Sequence, residues 1–153
     1  AKFNIKNLPC DLFAGDLPYE DNSFDVVLIS ETLEHFNFHP GRVFREISRV
    51  LKSHGLIIIT TPNLLRLNNK VKLLIGRSIN WAISLPYDSM SHYREYAAKE
   101  IVYLMEANNI KAQEISYRDF DYPDIKKFYK FINRIAGFFA GSLKGNIVVI
   151  GKK

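Results

Sequence analysis

Cysteine is all but missing from this chain: Cys10 stands alone, so no disulfide forms within it, which fits a reducing, cytoplasmic setting. Long apolar runs are missing too. None approaches the ~18 residues that cross a bilayer, and no charged-then-apolar leader opens the sequence, so a soluble protein is expected. The eight glycines never form a G-x-G-x-x-G after a strand. Neither an internal repeat nor a low-complexity tract occurs. A basic surface spread over the whole domain is also absent. The formal net charge is +5, but the segment from Tyr122 onward carries seven basic residues against Asp124 alone, leaving residues 1–121 near neutral. Nucleic acid is therefore not an expected partner.

What is present suffices for one packed α/β domain: 153 residues, 47% hydrophobic and 13% aromatic. Phe3–Leu8 alternates apolar with polar, as a half-buried strand does, until Pro9. Phe24–Ile29 and Leu56–Ile59 are short Val/Ile/Leu runs, the pattern of strands covered on both faces. Between them Val43, Phe44, Ile47, Val50 and Leu51 recur at helical spacing, with Pro40 suited to the first turn and Ser53-His54-Gly55 to the stop. The pattern predicts a second helix capped by Asn63 with Leu64, Leu67, Val71, Leu74 and Ile75 on one face, closed by Gly76. Ala97–Asn108 follows as a helix, Ile110–Phe120 as a strand, Asp124–Phe139 as an amphipathic helix and Asn146–Ile150 as a last strand. Strands alternating with helices imply a largely parallel sheet with helices on both faces.

Three stretches in this order, "LPYEDNSFDVVLISETLEH", "REISRVLKSHGLIIITTPN" and "SHYREY", resemble the class I S-adenosylmethionine-dependent methyltransferases. Within them the chain is similar to the small-molecule and glycan-biosynthesis group that carries an L-E-H signature. The resemblance implies a Rossmann-like sheet of seven strands ordered 3-2-1-4-5-7-6, of which this chain holds strands three to seven. Residues 1–153 then form a single C-terminal portion of a methyltransferase domain, without the glycine-rich loop and the acid that usually hold the two ends of the cofactor. The implied activity is methyl transfer from S-adenosylmethionine to a small molecule or a glycan or lipid-linked precursor by the intact parent, with the 153 residues alone inactive. A degenerate, non-enzymatic scaffold is the alternative.

Site residues follow from the same resemblance. Asp11 and Leu12 match the position where a carboxylate accepts from the adenine amino group and the next N–H meets a ring nitrogen. Without it, Asp11 reads as a side-chain-to-backbone turn after Pro9. Ser30 and Glu31 leave a strand at the edge where open α/β sheets place ligands, so they would line the methionine end of the cofactor or the substrate mouth. If residues 31–35 make a helical turn, Glu31, Glu34 and His35 share one face and converge. With His92 from "SHYREY" they would offer a mixed oxygen and nitrogen site for magnesium or manganese, as E-x-x-E-H does in related O-methyltransferases. Otherwise Glu34 and His35 orient the loop by hydrogen bonds, with His35 or His92 acting as base where the acceptor is a weakly acidic hydroxyl. Arg94 and Glu95 pair with Glu31 or with substrate hydroxyls, or else form a local surface ion pair, while Tyr19, Tyr87, Tyr93 and Tyr96 form an aromatic wall or core. His39 and His54 read as capping or surface residues. The helix 124–139 covers the sheet or, through its basic face, touches an anionic membrane. Finally, the implied order leaves strand 24–29 as a bare edge, to be covered by Phe3–Leu8, by a second copy in a homo-oligomer or by an N-terminal fragment.

Overall fold

The computed structural model describes residues 8–13, 16–80, 92–119 and 141–153. The expected strand at 3–8, apart from Leu8, the helix at 124–139 and Tyr87 lie outside them. Among the described residues four strands form one sheet: β1 (Phe24–Ser30), β2 (Leu51–Pro62), β3 (Lys111–Arg118) and β4 (Asn146–Lys152), in the order β1-β2-β4-β3. β1 and β2 run parallel, in register from Val26 opposite Leu56 to Ser30 opposite Thr60. β4 is antiparallel to both β2 and β3. This is the order that strands four, five, seven and six take in the arrangement the resemblance implies.

Among the described residues three α-helices accompany the sheet: α1 (Gly41–Val50), α2 (Leu67–Leu74) and α3 (Ala98–Glu106). The 3.6-residue period brings Val43, Phe44, Ile47 and Val50 of α1 onto one buried face, and Ile101, Leu104 and Met105 of α3 onto another. Both faces close over the alternating Ile57, Ile59, Ile147 and Val149 of the two central strands, and these residues form one core cluster. Each such side chain taken fully from water contributes about 1.5–3 kcal/mol, which outweighs the weak intrinsic preference of the β-branched residues for strand.

The structure corrects three expectations. β1 is not covered on both faces among the described residues: Ile29 is buried, but Val26 and Leu28 stay 49% and 62% exposed. Among the described residues β1 also ends the sheet on that side. No loop separates α1 from the next strand, because β2 begins at Leu51, directly after the helix. Lys52-Ser53-His54-Gly55 belongs to this strand, with His54 at φ +68° and a register shift opposite Phe24–Val26. His54 donates its N–H to Lys153 O at 3.1 Å, and Lys153 returns its own to Gly55 O at 3.1 Å. Asn63 does not cap a helix. It is buried, and its amide donates to the carbonyls of Ser142 and Lys144, both at 2.8 Å, while α2 starts only at Leu67. Gly76 does close α2, at φ +70° with its N–H on Leu73 O.

The loop entering β1 is held by charge. Arg49 on α1 donates to both carboxylate oxygens of Glu46, to Asp21 and to the carbonyls of Leu17 and Tyr19, and Glu46 accepts the Leu17 N–H at 2.9 Å. The Arg49 guanidinium holds the Glu46 carboxyl below its usual range, against the opposing effect of burial, and the Leu17 N–H adds to the lowering. The unfolded carboxyl, near 4.5, therefore binds protons that the folded one does not, so this contribution is complete above that value and is lost as pH falls through the lower folded pKa. Glu46→Gln should accordingly lower Tm at neutral pH and flatten the fall of Tm on acidification, in melts followed by circular dichroism from about pH 6 to about pH 3. An unchanged acid slope would show that Glu46 does not carry it.

Candidate functional site

The parallel strands β1 and β2 end side by side, and their carboxyl ends build the site. Ser30 Oγ lies 3.1 Å from Thr60 Oγ1, and the Glu31 N–H donates to Thr60 O at 2.9 Å. Glu31 then adopts φ +46°, the left-handed region that a residue with a Cβ rarely occupies. The chain turns there, and Thr32 Oγ1 donates back to Ser30 O at 2.8 Å. A single 3-10 turn follows at Leu33–His35, anchored by the fully buried Leu33.

Glu31 precedes the turn, and one of its carboxylate oxygens accepts from Asn146 Nδ2 at 3.2 Å at the start of β4, while its charge still acts on His92. Glu34 is 1% exposed and accepts from Thr61 Oγ1 at 2.8 Å. Its carbonyl also accepts the N–H groups of Tyr93 (2.9 Å) and Arg94 (3.3 Å). Those two bonds carry the neighbouring His92 to the site, where its ring meets that of His35 edge to face, with centroids 4.9 Å apart. Glu34, His35 and His92 each bring one ligating atom within 4.8 Å of the others. Glu34 Oε1 stands 4.0 Å from His35 Nε2, and His35 Nδ1 is buried with no hydrogen-bond partner among the described residues. Burial pushes the His92 imidazole below its ordinary value, and the neighbouring His35 adds to the lowering while Glu95 opposes it. His92 is thus held towards the neutral form, which can accept a proton or a metal.

A supporting layer escaped the sequence reading. Glu95 accepts from Arg66 Nη2 at 2.6 Å and from Asn69 Nδ2 at 2.7 Å, and its Oε1 lies 3.9 Å from His92 Nδ1. Glu95 is thus buried with Arg66 and Asn69, while Arg94 makes the local surface ion pair, with Glu100, and lies over the Tyr96 ring. The only trace of it in the sequence is Arg66 and Asn69 among the leucines and the valine of residues 64–74, a stretch that also carries Asn68, Lys70 and Lys72. Of the tyrosines, Tyr96 is core, Tyr19 packs edge-on against Phe24, and Tyr93 is 52% exposed. Asp11 makes the turn that its position after Pro9 suggested, accepting the Phe13 N–H at 2.9 Å. Phe13 meets Phe38 at 5.3 Å, and Phe38 stacks on Phe36 at 4.8 Å, so the Asp11–Phe13 turn is held beside the segment that follows His35. Leu12 packs against the core there.

This fold has known counterparts. A chain from Methanosarcina mazei, described as a SAM-dependent methyltransferase, superposes with a TM-score of 0.59 at 15% identity, over 90% of this chain and 63% of that one. The fold is that of the S-adenosylmethionine-dependent methyltransferases. Residues 3–59 match the family model described as a methyltransferase domain. Among curated proteins, a glycine/sarcosine/dimethylglycine N-methyltransferase of Actinopolyspora halophila is 45% identical over 47 residues, 31% of this chain and 8% of its own length. A probable S-adenosylmethionine-dependent methyltransferase of Mycobacterium tuberculosis is 41% identical over 49 residues, 32% of this chain and 18% of its own. The chain therefore spans less than two thirds of the M. mazei chain and under a fifth of these two curated relatives.

Proposed function

We propose that the protein to which this chain belongs transfers the methyl group of S-adenosylmethionine to a nucleophilic atom of a small molecule or of a glycan or lipid-linked precursor. The observation that carries this reading is the meeting of Glu34, His35 and His92 at the carboxyl ends of β1 and β2 in a methyltransferase fold. The donor set suits the cofactor in part. The Asp11 carboxylate, exposed and facing a turn, would accept from the adenine amine, with the Leu12 N–H beside it, and Ser30 and Glu31 would meet the methionine end. When bound, the cofactor supplies a methyl group on a sulfonium that is already a good leaving group. The chain's own task is chiefly to hold the acceptor in line, where proximity gives much of the rate. His92, held towards neutrality, or His35 would take the proton of a hydroxyl acceptor, and the Glu34 carbonyl holds the His92 segment through the Tyr93 and Arg94 N–H groups while the Glu34 carboxylate lies 4.0 Å from His35. Calorimetric titration of the intact parent with S-adenosylmethionine tests the reading. Asp11→Ala should weaken binding by about 1–3 kcal/mol, the cost of leaving the adenine amine without its acceptor. A parent that shows no binding would remove the proposal, and transfer of labelled methyl into the water-soluble or the lipid fraction of an extract would separate the acceptor classes.

A second reading, metal-assisted O-methyl transfer, is favoured by the one carboxylate and two imidazoles lying within 4.8 Å. Such a set suits manganese, and magnesium less well, since magnesium prefers oxygen ligands. Titration with manganese alone should show a site that His92→Ala abolishes and Glu31→Ala leaves unchanged. Equal loss in the two variants would restore the four-residue set, and no uptake by the unmodified chain would end the metal reading.

A further inference from the structure

α2 is packed inside out. Its buried face is polar: Asn69 is 1% exposed and bonds to Leu64 O and to Glu95. Its outer face is apolar, with Val71 at 45%, Leu74 at 86% and the following Ile75 at 60% exposure. At 100° per residue Val71 and Leu74 lie on one side of the helix with exposed Lys70 beside them, Ile75 continues that side at the helix end, and exposed Arg77 follows the Gly76 turn, its N–H on Lys72 O. Leu65 and Leu73 extend the exposed apolar surface. An ordinary surface helix would turn Leu74 inward and Asn69 outward, and here the ion pair of Arg66 with Glu95 and the amide of Asn69 fix the reverse orientation. Residues 64–80 contain Arg66, Lys70, Lys72 and Arg77 and not one acidic residue.

We infer that this face of α2 docks on an anionic lipid surface, with Leu74, Val71 and Ile75 entering the headgroup boundary and Lys70 and Arg77 meeting the lipid charge. Charge decides the occupant. A second copy set face to face would bring Lys70 and Arg77 against their own kind with no carboxylate on this stretch to offset them, whereas an anionic bilayer supplies both an apolar interior and the opposite sign. The same bonds that invert α2 reach the site, because Glu95 joins Arg66 and Asn69 to the segment carrying His92. Docking would therefore lay the mouth of the site on the membrane plane and restrict its acceptors to lipid-borne molecules. That consequence rests on the methyl-transfer reading, while the docking does not.

The test is co-sedimentation of the intact chain with vesicles of equal parts phosphatidylglycerol and phosphatidylcholine, beside vesicles of phosphatidylcholine alone. The chain should pellet with the first and not the second, and salt should release it. Leu74→Asp should reduce the partition coefficient about tenfold or more, as the loss of one inserted leucine predicts. Lys70→Gln and Arg77→Gln should each reduce it about fivefold. All three side chains point outward, so unchanged melting shows that the fold is intact. Failure to pellet, equal pelleting with both vesicles, or a Leu74→Asp variant that pellets like the parent would overturn the inference. So would a dimer that Leu74→Asp dissociates. Pelleting needs no cofactor, so a chain that docks while its parent transfers no methyl would sink the functional reading and leave this one standing.

Discussion

Glu34→Ala should cost about 2–4 kcal/mol of stability, although the residue lies in a 3-10 turn at the rim of the sheet. The loss has two sources. Thr61, itself fully buried, would keep a hydroxyl whose acceptor at 2.8 Å has gone, and the space of a side chain that is 1% exposed would collapse only in part. Glu34→Gln separates architecture from chemistry. An amide oxygen can still accept from Thr61, so the melting temperature should stay close to that of the parent, while the negative charge beside His35 and His92 disappears. If the functional reading holds, the glutamine variant keeps its fold and loses metal affinity or transfer. Thermal melts of both variants beside a manganese titration decide it. Equal stability of alanine and glutamine variants would show that Thr61 finds another partner.

The other large effect is expected far from the site, at Gly151. A Cβ there would lie 2.0 Å from Met105 Cε, 3.0 Å from Ile110 Cγ2 and 3.1 Å from Ile57 Cγ2, all in fully buried side chains. The glycine lets α3 and the residue that follows it approach β4 closely. Alanine forces the methionine into another rotamer and should cost about 1–3 kcal/mol. Valine adds two further methyl groups against Ile57 and Ile110, so Gly151→Val should cost about 3 kcal/mol or more and shift the urea midpoint accordingly. Met105→Ala should rescue part of the loss in Gly151→Ala, because it removes the atom in conflict. A double mutant no more stable than the sum of the singles would assign the cost to the backbone instead.

The strands and α1 were legible because their signals are local: Val and Ile runs bounded by polar turns, and a 3.6-residue period in Val43, Phe44, Ile47 and Val50. What was misread depends on partners distant in the chain. Lys52-Ser53-His54-Gly55 looks like a loop, yet it pairs through Lys153, about a hundred residues away. Periodicity in α2 shows that one side is apolar and says nothing of which side faces in, and the answer lies in Glu95, which holds Asn69 from 26 positions away. His35, Glu34 and His92 were readable as residue types with ligating chemistry. That Glu31 also bonds to Asn146 was not, since that partner lies 115 positions away.

The placement of β4 bears on how the sheet assembles. The strand is the last described in the chain, yet it sits between β2 and β3 and supplies the sheet partner that each lacks on its inner side. During synthesis β2 and β3 must therefore wait, with hydrogen-bonding edges open, until Asn146–Lys152 arrives. Most of the sheet's long-range pairing then forms in one late step, which favours slow folding and exposes the nascent chain to pairing with the wrong edge. A folding assistant that shields extended edges would act in that interval, before Gly151 slides beneath Met105.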